Sequence, residues 1–255
     1  MADTASRAAP GTPAAETAEV WWARRQDAAP RLAGLLDDLE RQRWSAYRRE
    51  VDRERFLVGC ALAKTVVAAR TGQRPAEVSF DRACGQCGKP HGKPAVRGGG
   101  PELSVSHSGD LVAVALATAP VGVDVEQLDG RVHELGGGDP DTIARMVLAA
   151  EERAALAAVD PAGRARAFLV AWTRKEAVTK ARGDGLRVPF GEVVVAADLA
   201  VPRVTAWPYP QDPRSVSLVD LDPGPGYVAA LAVLGRCHAV PAGDGTALLG
   251  EASFA

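Results

Sequence analysis

VGVDVE, residues 121–126, is a strand-like run that sets two carboxylates, Asp124 and Glu126, one residue apart. Successive side chains on a strand alternate faces, so Asp124 and Glu126 point one way while Val123 and Val125 turn to the core. Two strand rises separate the carboxylates by about 7 Å, near enough to raise each other's pKa unless positive charge lies between them. A divalent cation would supply that charge; an isolated D-x-E also suits a strand end whose carboxylates are simply solvated.

Upstream, LSVSHS and LVAVALAT read as adjacent strands joined by Gly109-Asp110, a hairpin by its turn chemistry. VSF at 78–80 is strand-like, and CGQCGKPHGKPAVRGGGPE is a Gly/Pro-rich loop. From about Glu16 to Arg70 the pattern reads as helical, with leucines at 32, 35, 36 and 39, an arginine-rich stretch and the apolar FLVGCALAKTVVAAR. Downstream, the polar LDGRVHELGGGDPD reads as a mobile connector, followed by a helix from about Thr142 to Val159. A second helix, from about Arg164 to Arg182, stops at Gly183-Asp-Gly185; GEVVVAAD, SVSLVDL and YVAALAVLG supply further strands. Helices followed by strands in both halves, without regular βαβ alternation, predict an α+β fold of two similarly built halves meeting near residue 120. The expected divisions are a disordered lead-in over 1–19, halves over 20–120 and 121–238, and a tail over 239–255.

The 255 residues suffice for a large core. Thirty Lys plus Arg against 32 Asp plus Glu, a net charge of −2, argue against a general nucleic-acid or membrane-surface binder, so an anionic ligand needs a local cationic cluster. No uncharged apolar run approaches the ~20 residues that span a bilayer, and no secretory leader is recognisable, so a cytoplasmic location is expected. Four scattered cysteines do not make a disulfide framework. Cys84-x2-Cys87 followed by His91 has zinc-like spacing without an obvious fourth ligand, and two free thiols are the default reading.

In WTRKEAVTK, residues 172–180, Glu176 and Lys180 are four apart on a helix. They form either a surface ion pair or, with Asp124 and Glu126, a set of hard oxygen ligands suited to Mg²⁺ with lysines, Lys93, Lys175 and Lys180, at hand for phosphates. Ser106 and His107 face opposite sides of a strand, which argues against a serine-hydrolase pair.

HGKP (91–94), S-x-SHS (104–108), GVDVE (122–126) and W-x-x-K-E-A-x-x-K (172–180), in this order and spacing, resemble the Sfp-type 4′-phosphopantetheinyl transferases over residues from about 30 to about 235. The resemblance implies two pseudo-twofold-related halves with the active site in the cleft between them, and a monomer. It also implies Mg²⁺-dependent transfer of phosphopantetheine from coenzyme A to a serine of an acyl or peptidyl carrier protein, commonly in polyketide or nonribosomal peptide assembly. By the same resemblance Asp124, Glu126 and Glu176 are the metal ligands, and Lys93, Pro94, Ser106, His107, Lys175 and Lys180 contact coenzyme A. Arg43 and Arg55 are matched to its 3′-phosphate, and Glu151 to the base. A basic stretch with Lys180, Arg182 and Arg187 is expected to meet the acidic carrier. The competing readings are a non-catalytic coenzyme A or carrier-binding protein of the same fold, and a zinc-loop interaction protein.

Overall fold

The computed structural model describes residues 16–128, 140–198 and 200–251. The remainder of the lead-in, and residues 129–139 of the connector expected to be mobile, lie outside them.

The chain begins with strand β1 (Glu16–Arg24), short helix α1 (Asp38–Ala46) and long helix α2 (Glu50–Thr71). The two-residue strands β2 (Phe80–Asp81) and β3 (Ala95–Val96) pair across the Gly/Pro-rich loop. Then come β4 (Glu102–Ser108), β5 (Leu111–Ala117) and β6 (Val121–Gln127). Helices α3 (Pro140–Val147), α4 (Ala150–Ala158) and α5 (Pro161–Arg182) follow. Strands β7 (Val194–Val195), β8 (Val204–Ala206), β9 (Val216–Leu221) and β10 (Tyr227–Leu234) lead to β11 (Cys237–Ala239), β12 (Ala242–Asp244) and α6 (Gly245–Glu251).

The fold is α+β, as expected from the sequence. One sheet has the order β11-β1-β5-β4 with β12 also on β1, the other β6-β10-β9. Period-two alternation assigns the faces. Val112, Val114 and Leu116 of β5 share a core with α2. Val228, Ala230 and Ala232 of β10 share one with α5. The opposite faces of both sheets meet in a third core, which contains Ala113, Ala115, Val121, Val123, Val125, Leu231 and Val233. Strand β5 is therefore buried on both sides, which accounts for its apolar sequence. Helices α2 and α5 each run 22 residues and end on a left-handed glycine, Gly72 and Gly183.

The halves share one more device. Lys64 of α2 is buried and paired at 2.9 Å with Glu40 of the preceding helix α1; Lys175 of α5 is buried and paired at 2.6 Å with Glu152 of the preceding α4. Each glutamate also accepts a backbone N–H at its own helix start, from Asp37 and Ala149.

Several sequence expectations are corrected. Residues 16–19 are not lead-in, because they open β1, which pairs with β11 at Glu16 and Thr17 and with β5 from Ala18 to Arg24. The helical reading of 16–70 fails over β1, where Ala18, Val20 and Trp22 alternate with Glu19 and Trp21 on a strand; short 3₁₀ turns at Arg25–Asp27 and Pro30–Leu35 then lead into the α-helices from Asp38. The helix over 142–159 is two, broken at Leu148-Ala149. Residues 239–251 are not a tail: β11 and β12 lie parallel along the outer edge of β1, and α6 buries Leu249 in the first core.

Candidate active site

Strands β4 and β6 are the facing edges of the two sheets, and serine side chains take the place of a backbone ladder between them. Ser104, Ser106 and Ser108 accept the N–H groups of Val123, Val125 and Gln127 at 3.1, 3.3 and 3.1 Å. The same alternation gives Ser106 and Ser108 a second task. Ser106 Oγ donates to Asp124 Oδ1 at 2.9 Å, and Ser108 Oγ to Glu126 Oε2 at 2.7 Å. The seam that joins the halves thus orients both carboxylates.

Gly122 shares the face of Asp124 and Glu126 and brings α5 down onto it. A Cβ there would lie 2.0 Å from the Ala177 carbonyl oxygen and 2.4 Å from the Ala181 nitrogen, so only glycine admits the helix at this depth. The close approach sets Glu176 and Lys180, one helical turn apart, over the strand carboxylates. Lys180 Nζ donates to Asp124 Oδ1 at 2.6 Å and to Ser106 Oγ at 3.0 Å.

These groups line a cavity of about 360 Å³. The second half contributes Asp124, Glu126, Trp172, Glu176 and Lys180; the first contributes Arg43, Arg55, Arg82, Ser106 and His107. Carboxylates thus come from one half and most of the cations from the other.

Burial decides the electrostatics. It pushes the carboxyl pKa of Asp124 up against the pull of Lys180, raises that of Glu176, and with the charge of Asp124 raises Glu126 to about 7. Burial opposes the charge of Lys180, but Asp124, Glu176 and Glu126 outweigh it and lift its pKa. The His107 ring, open to the cavity, is held below its ordinary value by the surrounding protein and by Lys180 and Arg55, which favours the neutral imidazole. Burial and the nearby Arg43 work against the charge of Arg82. Carboxyl groups and cations whose pKa values are shifted by burial and by one another, gathered in one cavity, mark a candidate functional site.

The carboxylates suit a hard divalent cation. Asp124 Oδ2 is buried with no hydrogen-bond partner among the described residues, an acceptor oxygen in want of a positive charge. Three carboxylates share the cavity with one nearby ammonium.

Arg55 Nε donates to the Gly109 carbonyl at 2.7 Å, fixing the β4–β5 turn, and Arg43 lies over the Phe56 ring at 5.5 Å. Lys93 and Pro94 line a second cavity of about 770 Å³, which shares Arg82, Val105 and Lys180 with the first. Lys93 Nζ bridges Glu102, at 2.7 Å, to the Ala181 carbonyl, at 3.0 Å. In the basic stretch, Arg182 lies 4.0 Å from the Tyr209 ring centroid, and Arg187 donates to the Gly183 and Asp184 carbonyls.

Two expected site residues are brought to neither cavity. Lys175 points into the core of the second half, where its three donors are taken by Glu152, the Val147 carbonyl and the Phe190 carbonyl, leaving none for a phosphate. Glu151 is exposed on the first turn of α4 and lines neither cavity. Arg82 was missed: it stands in the loop after β2, outside any motif, and only the fold aims it at the site.

Residues 120–232 match the family model of the 4′-phosphopantetheinyl transferase superfamily. A 4′-phosphopantetheinyl transferase of Bacillus subtilis is 28% identical over 164 residues, 63% of this chain and 66% of that protein. The 4′-phosphopantetheinyl transferase HetI of Nostoc sp. is 28% identical over 205 residues, 80% of this chain and 81% of HetI. A phosphopantetheinyl transferase of Thraustochytrium sp. is 32% identical over 179 residues, 65% of this chain and 58% of that protein. The B. subtilis and Thraustochytrium alignments thus span less than two thirds of those relatives. The family resemblance drawn from the four motifs is borne out. Among the described residues no helix is long and apolar enough to cross a membrane.

Proposed function

We propose that this chain, similar to the 4′-phosphopantetheinyl transferases in sequence, is an Sfp-type enzyme of that kind. It moves phosphopantetheine from coenzyme A to a serine of an acyl or peptidyl carrier protein. The observation that carries this reading is Asp124: one oxygen held by Ser106 and Lys180, the other buried without a partner among the described residues, in a cavity that collects carboxylates from one half and arginines from the other.

In the reaction the carrier serine oxygen bonds to the β-phosphorus of coenzyme A, and the pyrophosphate P–O bond breaks. Adenosine 3′,5′-bisphosphate leaves, and the hydroxyl proton passes to a base. Asp124, Glu126 and Glu176 are the residues that would hold Mg²⁺, which when bound offsets pyrophosphate charge. Arg43, Arg55 and Arg82 would meet the terminal phosphates of the nucleotide, with neutral His107 as a hydrogen-bond partner. Lys180 would exchange part of its bond to Asp124 for a phosphate oxygen, neutralising charge as the leaving group departs. Ser106 orients Asp124 rather than reacting. Exposure leaves Glu151 without support as the base. A polyketide or nonribosomal peptide carrier and a monomeric state rest on the resemblance alone.

The test is the intact mass of an apo carrier protein incubated with this protein and coenzyme A, with Mg²⁺ and with EDTA. The expected result is a gain of one phosphopantetheine mass only with Mg²⁺, abolished in Asp124→Ala. Coenzyme A binding without any mass gain across several carriers would replace this reading with that of a non-catalytic binding protein.

A further inference from the structure

Between β2 and β3, outside the carboxylate cavity, three side chains of metal-ligating type come together. Cys84 Sγ, Cys87 Sγ and a ring nitrogen of His91 all lie within 4.8 Å of one another, and Cys87 Sγ is 3.0 Å from His91 Nε2. In a tetrahedral zinc site with ordinary bond lengths, sulfur and nitrogen ligands stand about 3.6 Å apart and two sulfurs about 3.8 Å. Small side-chain movements close that geometry.

The backbone holds the three residues in place without a core beneath them. Gly88 N–H donates to the Cys84 carbonyl at 2.8 Å, and Gly88 at φ 66° turns the chain directly after Cys87. Cys84 N–H and His91 N–H both donate to the Lys89 carbonyl, at 2.9 and 2.8 Å. Gly92 N–H closes the loop onto the Arg82 carbonyl at 2.7 Å; a Cβ on Gly92 would lie 2.7 Å from the Ala83 oxygen, so glycine is required where the returning chain passes. Neither thiol is in a disulfide, and all three ligand groups line the larger cavity rather than the core.

We propose that Cys84, Cys87 and His91 bind one Zn²⁺, with the fourth position left to water on the side of the larger cavity. The neutral imidazole and two thiolates are soft and borderline ligands that select zinc over Mg²⁺, so this site and the carboxylate site take different ions. Its place in the chain gives it a purpose. The loop it clips runs from Arg82, which lines both cavities, to Lys93, which ties the first half to the end of α5. A bound ion replaces the missing core of this loop and fixes the spacing of those two cations.

The experiment is elemental analysis of the full chain, loaded with Zn²⁺ and desalted, together with the absorption spectrum after loading with Co²⁺. Stoichiometric zinc in the parent, lost in Cys84→Ser/Cys87→Ser, and a thiolate-to-cobalt charge-transfer band lost in the same variant are expected. Circular dichroism checks that variant's fold, and His91→Ala, which leaves both thiols, is expected to bind zinc more weakly. Background zinc in the reduced parent, undiminished zinc in the double serine variant, or a Cys84–Cys87 disulfide in the protein isolated without oxidant would each overturn the assignment. All these readouts are independent of transferase activity, so a failed transferase assay leaves them intact.

Discussion

Ser106 donates its hydroxyl to Asp124 at 2.9 Å while accepting the N–H of Val125 at 3.3 Å, so one side chain both bridges the two sheets and aims the central carboxylate. Ser106→Ala leaves a buried N–H without its acceptor and removes one of the two donors to Asp124 Oδ1, the other being Lys180. The expected cost is about 1–3 kcal/mol in urea unfolding, with a rise in the Mg²⁺ concentration needed for half-maximal transfer. Unchanged values of both would show that the hydroxyl does neither task.

Glu126 titrates at about 7, and a carboxylate must be ionised to ligate a metal. Mg²⁺ affinity, measured by calorimetry, is expected to fall about tenfold per pH unit below about 7 and to level off above it. Glu126→Gln removes the part of this dependence that Glu126 carries. Stability of the metal-free protein runs the other way. Folding favours protonated Glu126, so its contribution is present below the ordinary value of 4.5 and is lost as pH rises through about 7. Added Mg²⁺ restores it.

Lys175→Met strands Glu152 as a buried charge and is expected to destabilise the protein by about 3–5 kcal/mol, while the KM for coenzyme A of the folded fraction stays unchanged. Replacing Glu152 as well does not restore stability, because its oxygens also accept the N–H groups of Ala149 and Val195. Full recovery in Lys175→Met/Glu152→Leu would contradict this account.

Gly122→Ala drives a methyl group into the α5 backbone. The helix must shift off β6, at a cost of about 1–3 kcal/mol or more, taking Glu176 and Lys180 away from Asp124. Thermal melting and Mg²⁺ titration should worsen together; a neutral substitution would mean that the helix sits less deeply than described.

The carboxylate face was legible because alternation on a strand and a four-residue step on a helix are local rules; Asp124, Glu126, Glu176 and Lys180, which those rules group, all line the first cavity. The same rule, applied to Lys175, argues against its expected role: five residues from Lys180, it points some 140° around the helix and into the core. The Gly109-Asp110 hairpin was legible for the same reason. Strand β1 was not, since its partners β5, β11 and β12 lie far along the chain and its own alternation is blurred by two adjacent tryptophans. Arg82 carries no local pattern, and only the closing of its loop reveals it. The choice between Glu151 and Glu152 turned on which faces inward, something that the break at Leu148-Ala149 decides.

The pairing of β11 and β12 with β1 bears on how the molecule is made. During synthesis the outer edge of β1 stays open until some 215 further residues have emerged, leaving a row of unpaired amide and carbonyl groups on the nascent chain. The first half therefore cannot mature as an independent unit ahead of the second, and this long-range closure puts a slow step at the end of folding.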